Sequence, residues 1–205
     1  VMIPVLNAAA MREADSHTQN EIGLSQDVLM ERAALASYQV LEEAVDIAGG
    51  SVIIICGTGN NGGDGAAFAR ILAERDIYPD VVLVGDEAKR SEGLKHQLEL
   101  LRKIYPEVSV KNSLPDAVYD VVVDAIFGIS LSRKIEGVFA DAVAYINKAH
   151  ELGAFVLSLD IASGIDASTG QVQDGVTVSA DRTAAFGAFK VGHLLFPGAM
   201  YSGEV

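Results

Sequence analysis

The chain has 205 residues, half of them hydrophobic, with a formal net charge of -13 and a single cysteine, Cys56. That size suits one domain with a substantial core. The composition excludes a disordered chain, the lone cysteine excludes an internal disulfide framework, and the acidity argues against nucleic acid or an anionic membrane as partner.

Taken in chain order, residues 8–22 and 25–47 read as helices, with Ser25 as N-cap of the second. Val52–Cys56 is a short apolar strand, and it runs straight into Gly57-Thr58-Gly59-Asn60-Asn61-Gly62-Gly63-Asp64-Gly65. A second strand is predicted at Val81–Val84. Leu94, Leu98, Leu101 and Ile104 recur at helical spacing in 92–104. A third strand spans Val121–Asp124, and Val138, Ala142, Tyr145, Ile146 and Ala149 mark a helix over 136–149. Further strands follow at Phe155–Asp160 and Arg182–Phe186. The first four strands are apolar on both faces, as in a parallel sheet covered on both sides. Alternating strands and helices predict a three-layer α/β/α sandwich with a mostly parallel central sheet. Its ligand is expected outside the carboxyl ends of the strands, near a change in strand order. No leader pattern and no apolar run of membrane-spanning length is present, so a cytoplasmic location is expected.

Three strand ends carry chemistry. The first is the glycine turn. Gly57-x-Gly59-x-x-Gly62, after a strand and before a helix, matches the dinucleotide fingerprint, in which glycines let backbone amides approach an anion. A P-loop is excluded, because Gly63-Asp64 stands where Lys-Ser or Lys-Thr is needed. Asp64 reads as a helix N-cap or as a group holding a hydroxyl. Asp86 or Glu87 reads as a ribose-binding acid, at a longer spacing than usual. The second strand end is Asp124, followed by Gly128 and a loop ending in Arg133-Lys134. A buried carboxylate there needs a partner or a cation, or else it braces the loop or caps the helix beginning near Ile135. The third is Asp160, followed by Ser163-Gly164, whereas Asp166 belongs to a turn over Asp166–Gly170. Asp124 and Asp160 thus share one sheet edge with the Asn/Gly turn, a pocket with acid–base capacity. Lys190 either reaches a ligand phosphate or is solvated. His17, His96, His150 and His193 show no metal-ligand spacing.

At these points the chain resembles the NAD(P)H-hydrate epimerase family, whose domain is called YjeF N-terminal. The similarity rests on GTGNNGGDG (57–65), DAIFG (124–128), DIASGIDASTG (160–170) and AFGAFKVGHLLFPG (185–198), with MREAD (11–15) and LMERAA (29–34). It covers nearly all of 1–205, read as one such domain. The resemblance implies a Rossmann-like fold. It implies epimerisation of NADHX and NADPHX at the hydroxyl-bearing C6 of the hydrated nicotinamide ring, with potassium as cofactor. Carried over by motif position, Asn61, Asp124 and Ser163 hold the potassium. Asn60, Asn61, Gly62, Gly63 and Asp64 contact the substrate, with Gly128, Ile129, Ser130, Leu131, Ser132, Arg133 and Lys134. Asp160 stands beside the reacting ring, and we expect it to be the catalytic acid–base group. A homodimer is also implied, as is an ADP- or ATP-dependent NAD(P)HX dehydratase, fused after Val205 or separate. The sequence departs from the family pattern at Ile129-Ser130, Ala162 and Ala34. Two other readings compete: a non-catalytic nucleotide- or protein-binding module of the same fold, and an ordinary NAD(P) dehydrogenase, for which no catalytic His or Tyr can be assigned.

Overall fold

The structure is a computed structural model, which describes residues 3–47, 49–131, 133–173 and 175–205. The elements run β1 (Val5–Leu6), α1 (Ala8–Asn20), α2 (Gln26–Ala44), β2 (Val52–Cys56), α3 (Asn60–Ala73), β3 (Asp80–Leu83), α4 (Glu92–Ile104) and β4 (Ser109–Lys111). They continue with β5 (Val121–Ala125), α5 (Val138–Glu151), β6 (Phe155–Leu159), β7 (Arg182–Ala184), β8 (Phe189–Lys190) and α6 (Val191–Leu194).

Among the described residues, six strands form one sheet in the order β4-β3-β2-β5-β6-β7, every neighbouring pair parallel. β1 and β8 make a separate parallel pair. The strands alternate their side chains between two cores. Ile54 and Cys56 of β2, with Val123 of β5, pack against Phe68 of α3, Leu41 of α2 and Leu94 of α4. Ile53 and Ile55, with Val122 of β5, pack against Val143 and Ile146 of α5. Every residue of β2 is buried, and each of its isoleucines contributes about 1.5–3 kcal/mol by leaving water. The helices on both faces explain why these strands read as unbroken apolar runs. Cys56 is buried, as expected, and burial raises its thiol pKa, which keeps it an inert core residue.

The chain leaves β2 outward to β3 and β4, then returns to place β5 on the other side of β2. The carboxyl ends of β2 and β5 therefore flank the switch point at which an open α/β sheet leaves a crevice. The glycines of the turn are needed first for packing. A Cβ on Gly57 would lie 2.1 Å from the Ile126 carbonyl oxygen, and one on Gly62 would lie 2.1 Å from the Gly57 carbonyl oxygen. The turn thus folds on itself and against the chain leaving β5, and Gly57 N–H donates to the Ala125 carbonyl.

Several boundaries differ from expectation. Ser25 caps α2 through Val28 N–H as predicted. Asp64 does not cap its helix: α3 begins at Asn60 with Gly59 as N-cap, which puts Asp64 in the second turn. Asp160 and Phe186 fall beyond their strands, which end at Leu159 and Ala184. The helix predicted over 136–149 runs from Val138 to Glu151. β4 and the β1–β8 pair were not anticipated.

Candidate active site

Asp160 follows β6 with a left-handed backbone, φ 70°. A non-glycine residue rarely adopts that region, and Asp and Asn tolerate it best. The sharp turn points the carboxylate into the crevice wall rather than along the strand. Its Oδ1 accepts from Lys190 Nζ at 2.5 Å and its Oδ2 accepts from Ile129 N–H at 3.2 Å. Lys190 also donates to the Phe186 carbonyl at 2.7 Å, and its side chain is fully buried. The solvated reading of Lys190 is therefore corrected: its ammonium is an internal counter-charge. His193 braces both partners, with Nδ1 accepting from Lys190 N–H at 3.2 Å and Nε2 3.0 Å from the Asp160 carbonyl. Burial, then the Lys190 charge, pulls the His193 imidazole down to about 4, so it is neutral near pH 7 and donates from Nε2.

Two further carboxylates face this pair. Burial, then the Asp160 and Asp15 charges, push the Asp64 carboxyl well above its ordinary value, against the pull of Lys190. Burial and Asp160 also raise Asp15, from α1. Three acids and one ammonium in one cluster cannot all be ionised cheaply, so Asp64 is held toward its protonated form beside the ion-paired Asp160. Asp15 escaped the site prediction, since an acid on a polar helix ordinarily faces solvent. Its place in the MREAD segment was the available signal.

Gly128 closes the pocket floor. A Cβ there would stand 2.8 Å from Asp160 Oδ2 and 3.6 Å from the Asn61 side chain. Asn61 is 8% exposed, and among the described residues neither its amide oxygen nor its nitrogen has a hydrogen-bond partner. Asp124, at the end of β5, is fully buried, and its carboxylate accepts from Ile126 N–H, Ser158 Oγ, Ser163 N–H and Ser163 Oγ. This network binds the ends of β5 and β6 together, and burial still raises the Asp124 pKa against it. Of the open readings of Asp124, bracing the loops is realised. It does not cap α5, whose N-cap is Gly137. Ser163 Oγ also accepts from Phe127 N–H at 3.0 Å. The donor set at this corner is entirely oxygen, with an unpartnered Asn61 amide and a buried carboxylate that has no cation among its hydrogen-bond partners. Those features fit a hard monovalent ion such as potassium. Among the described residues no group of three or more His, Cys, Asp or Glu is placed to hold a metal.

The structure thus gathers Asn61, Asp64, Gly128, Ile129, Asp124, Asp160 and Ser163 around one crevice. Asn60 opens α3 beside it, and Gly62 and Gly63 continue the same turn, whose first amides have no helical acceptor. In the loop after Gly128, Ile129 N–H is the group bonded to Asp160. Leu131 N–H bonds the Gly128 carbonyl, Arg133 lies 5.9 Å from the Phe139 ring centroid, and Lys134 pairs with Glu136 on the surface. Leu131, Arg133 and Lys134 line an open cavity of ≈ 240 Å³ with Asp166 and Gln173. Ser132 lies outside the described residues. Asp166 forms the predicted turn, accepting from Ser168 N–H and Thr169 N–H.

A parallel sheet with a switch-point crevice and a carboxylate cluster defines a Rossmann-like α/β/α fold with a candidate site at its carboxyl edge. The chain belongs to the family described as YjeF-related protein N-terminus, whose model matches residues 26–192. It is 37% identical over 205 residues to an NAD(P)H-hydrate epimerase of Weissella koreensis, covering all of this chain and 90% of that protein. It is 38% identical to one of Levilactobacillus brevis, covering 92% of that protein. A bifunctional NAD(P)H-hydrate repair enzyme Nnr of Thermofilum pendens is 37% identical over 98% of this chain and 39% of its own length. The crystal structure of yeast ynu0, YNL200c, shares the fold, with TM-score 0.82 and 23% identity over 97% of this chain and 86% of that one.

Proposed function

We propose that this protein is an NAD(P)H-hydrate epimerase, an isomerase that interconverts the R and S epimers of NADHX and NADPHX. The observation that carries the mechanism is Asp160, ion-paired with buried Lys190 and facing an Asp64 carboxyl that burial raises. Relatives of that name match over the whole chain.

The reacting carbon carries a hydroxyl and the ring nitrogen. Asp64, protonated, gives its proton to the hydroxyl, which leaves as water while the nitrogen lone pair forms a C=N⁺ bond. Water returns to the other face and loses a proton to Asp160. A proton passed from Asp160 to Asp64 restores the starting state, and no electron is transferred. This is acid–base catalysis by a pair of carboxyls. The free amides of Asn60, Asn61 and Gly62 at the start of α3 supply an anion site for the diphosphate. Gly128–Lys134 contributes further contacts, with Arg133 as the cation nearest Phe139.

Potassium belongs to the same proposal, held by the Asn61 amide oxygen with Asp124 and Ser163. Bound there, it supplies positive charge against the buried Asp124 and no acid–base or redox chemistry. The proposal includes a single catalytic domain over 1–205, a cytoplasmic location, a homodimer and a dehydratase partner. No described helix is long and apolar enough to cross a membrane, the exposed Ile22, Val28 and Leu35 offer apolar surface for dimer contacts, and the repair enzyme Nnr is bifunctional.

The test starts from equilibrated R/S mixtures of NADHX and of NADPHX, each depleted of S by an S-specific dehydratase. Adding this protein in potassium buffer should consume the residual R much faster than spontaneous epimerisation does. A rate no faster than buffer with both hydrates overturns the enzyme reading in favour of a binding module.

A further inference from the structure

A second cavity, of ≈ 380 Å³, opens on the same sheet edge, away from Asp160. Its walls come from three element ends: the residues after β3, the residues after β4, and the first turn of α5. Val84, Leu114 and Val138 give it apolar surface, and Asp86, Asn112 and Asp141 give it polar groups. That volume and mixture suit a small organic ligand. None of the described residues lining it is basic.

Contacts connect this cavity to the active site. A Cβ on Gly85 would lie 2.6 Å from the Phe139 ring and 2.9 Å from the Thr58 methyl, so the cavity wall touches both α5 and the turn opening α3. The Phe139 ring is 5.0 Å from that of Phe127, and Phe127 precedes Gly128, which abuts Asp160. From the cavity toward Asp160 one therefore meets the amino end of α3 and then the carboxylate cluster. A dinucleotide has the same order of parts: nucleoside, diphosphate, reacting ring.

Asp86 is fixed at the mouth. Its Oδ1 accepts from Ala88 N–H at 3.0 Å and caps the short 3₁₀ turn Glu87–Lys89. Its position, after the second strand from the switch point, is that of the acid which accepts from ribose hydroxyls in dinucleotide folds. Of the nearby cations, Arg90 is 8% exposed and engaged by Glu87 and Asn112, Arg133 lies over Phe139, and Lys89 ends the 3₁₀ turn that Asp86 caps and is not among the residues lining the cavity. Asp141 adds a second carboxylate to the wall.

Resting on the epimerase reading, we propose that this cavity holds the adenosine half of the substrate and that Asp86 selects the free 2′-hydroxyl of NADHX against the 2′-phosphate of NADPHX. A carboxylate accepts a hydrogen bond from the hydroxyl and repels the phosphate, so the discrimination is partly repulsive.

The test uses binding alongside turnover. Calorimetry with ADP-ribose and 2′-phospho-ADP-ribose is run on wild type, Asp86→Ser and Val138→Trp, with thermal melts to confirm folding; Val138 is 55% exposed, so a larger side chain there fills the cavity rather than the core. Wild type should bind ADP-ribose about tenfold or more tighter than its 2′-phosphate. Asp86→Ser should close most of that gap by tightening the phosphate form, and Val138→Trp should weaken both ligands. Epimerisation rates should follow the same order, NADHX over NADPHX. Equal binding of the two ligands by wild type, or unchanged binding in folded Val138→Trp, overturns the inference. A protein that turns over both hydrates equally, without discrimination by Asp86, refutes this inference alone. One that discriminates the two ADP-riboses but turns over neither hydrate upholds the cavity and refutes the epimerase reading.

Discussion

Lys190 Nζ donates to Asp160 Oδ1 at 2.5 Å with its own side chain wholly buried, joining β8 to the end of β6 across 30 residues of chain. The pair does two things at once: it fixes the carboxylate in its left-handed turn, and it places a buried cation among three acids.

Removing either partner therefore has separable effects. Lys190→Met leaves a carboxylate cluster without its counter-charge and is expected to cost about 3–5 kcal/mol. Asp160→Asn keeps both the tolerated φ and a hydrogen-bond acceptor for Lys190, so it should lose less stability. It should still lower the epimerisation rate by about 10²–10⁴. Denaturant unfolding with single-turnover rates on both variants checks this. An Asp160→Asn enzyme at wild-type rate would remove the residue from the chemistry.

The layers of the fold were legible because β2, β3, β5 and β6 are buried on both faces and hence unmistakably apolar. β4 was not, because Ser109–Lys111 is a three-residue edge strand with no buried residue to mark it. Asp124 and Asp160 could be found because a carboxylate closing an apolar strand is conspicuous. Lys190 was seen, but its role was not. A lysine after a short strand reads as solvated, and its partner is distant in sequence. Asp15 was hidden for the same reason, and of the two readings of Asp64 the cap fails because the helix starts earlier than the run of glycines implied.

The pH dependence follows from Asp64. Its folded pKa is raised by burial and by Asp160 and Asp15. A carboxyl raised on folding stabilises the native state fully below its ordinary 3.8, and that contribution is lost as pH rises from there through the folded value. Asp64→Asn should make stability fall less steeply with rising pH. The epimerisation rate of wild type should decline on the alkaline side as Asp64 loses its proton, and the variant should be slow with that limb absent. Melting temperatures and rate profiles over the same buffers test both.

The Asn61 corner gives a prediction for potassium. Melting wild type in potassium chloride and in choline chloride of equal ionic strength should show a higher Tm with potassium. The stabilisation should reach about 2.7 kcal/mol at a hundredfold excess over the dissociation constant. Asn61→Leu should abolish the difference. It should cost little in choline chloride, since the buried amide it removes has no hydrogen-bond partner to lose. An unchanged potassium effect in Asn61→Leu would place the ion elsewhere.

The glycine turn separates packing from ligand access. Gly57→Ala puts a Cβ 2.1 Å from the Ile126 carbonyl oxygen, and backbone on both sides has nowhere to go. Overpacking of this kind costs about 1–3 kcal/mol. It should also displace the chain between Ile126 and Gly128, which carries the floor under Asp160, so stability and rate should fall together. At Gly59 nothing lies within 4 Å of an added Cβ. Gly59→Ala should therefore fold nearly as well as wild type, losing only part of an N-cap preference, at most about 1 kcal/mol. If the diphosphate docks on the first amides of α3, the new methyl should raise KM while leaving kcat nearly intact. A Gly59→Ala enzyme with unchanged KM would move the diphosphate away from that helix end, whereas the Gly57 result would stand on packing alone.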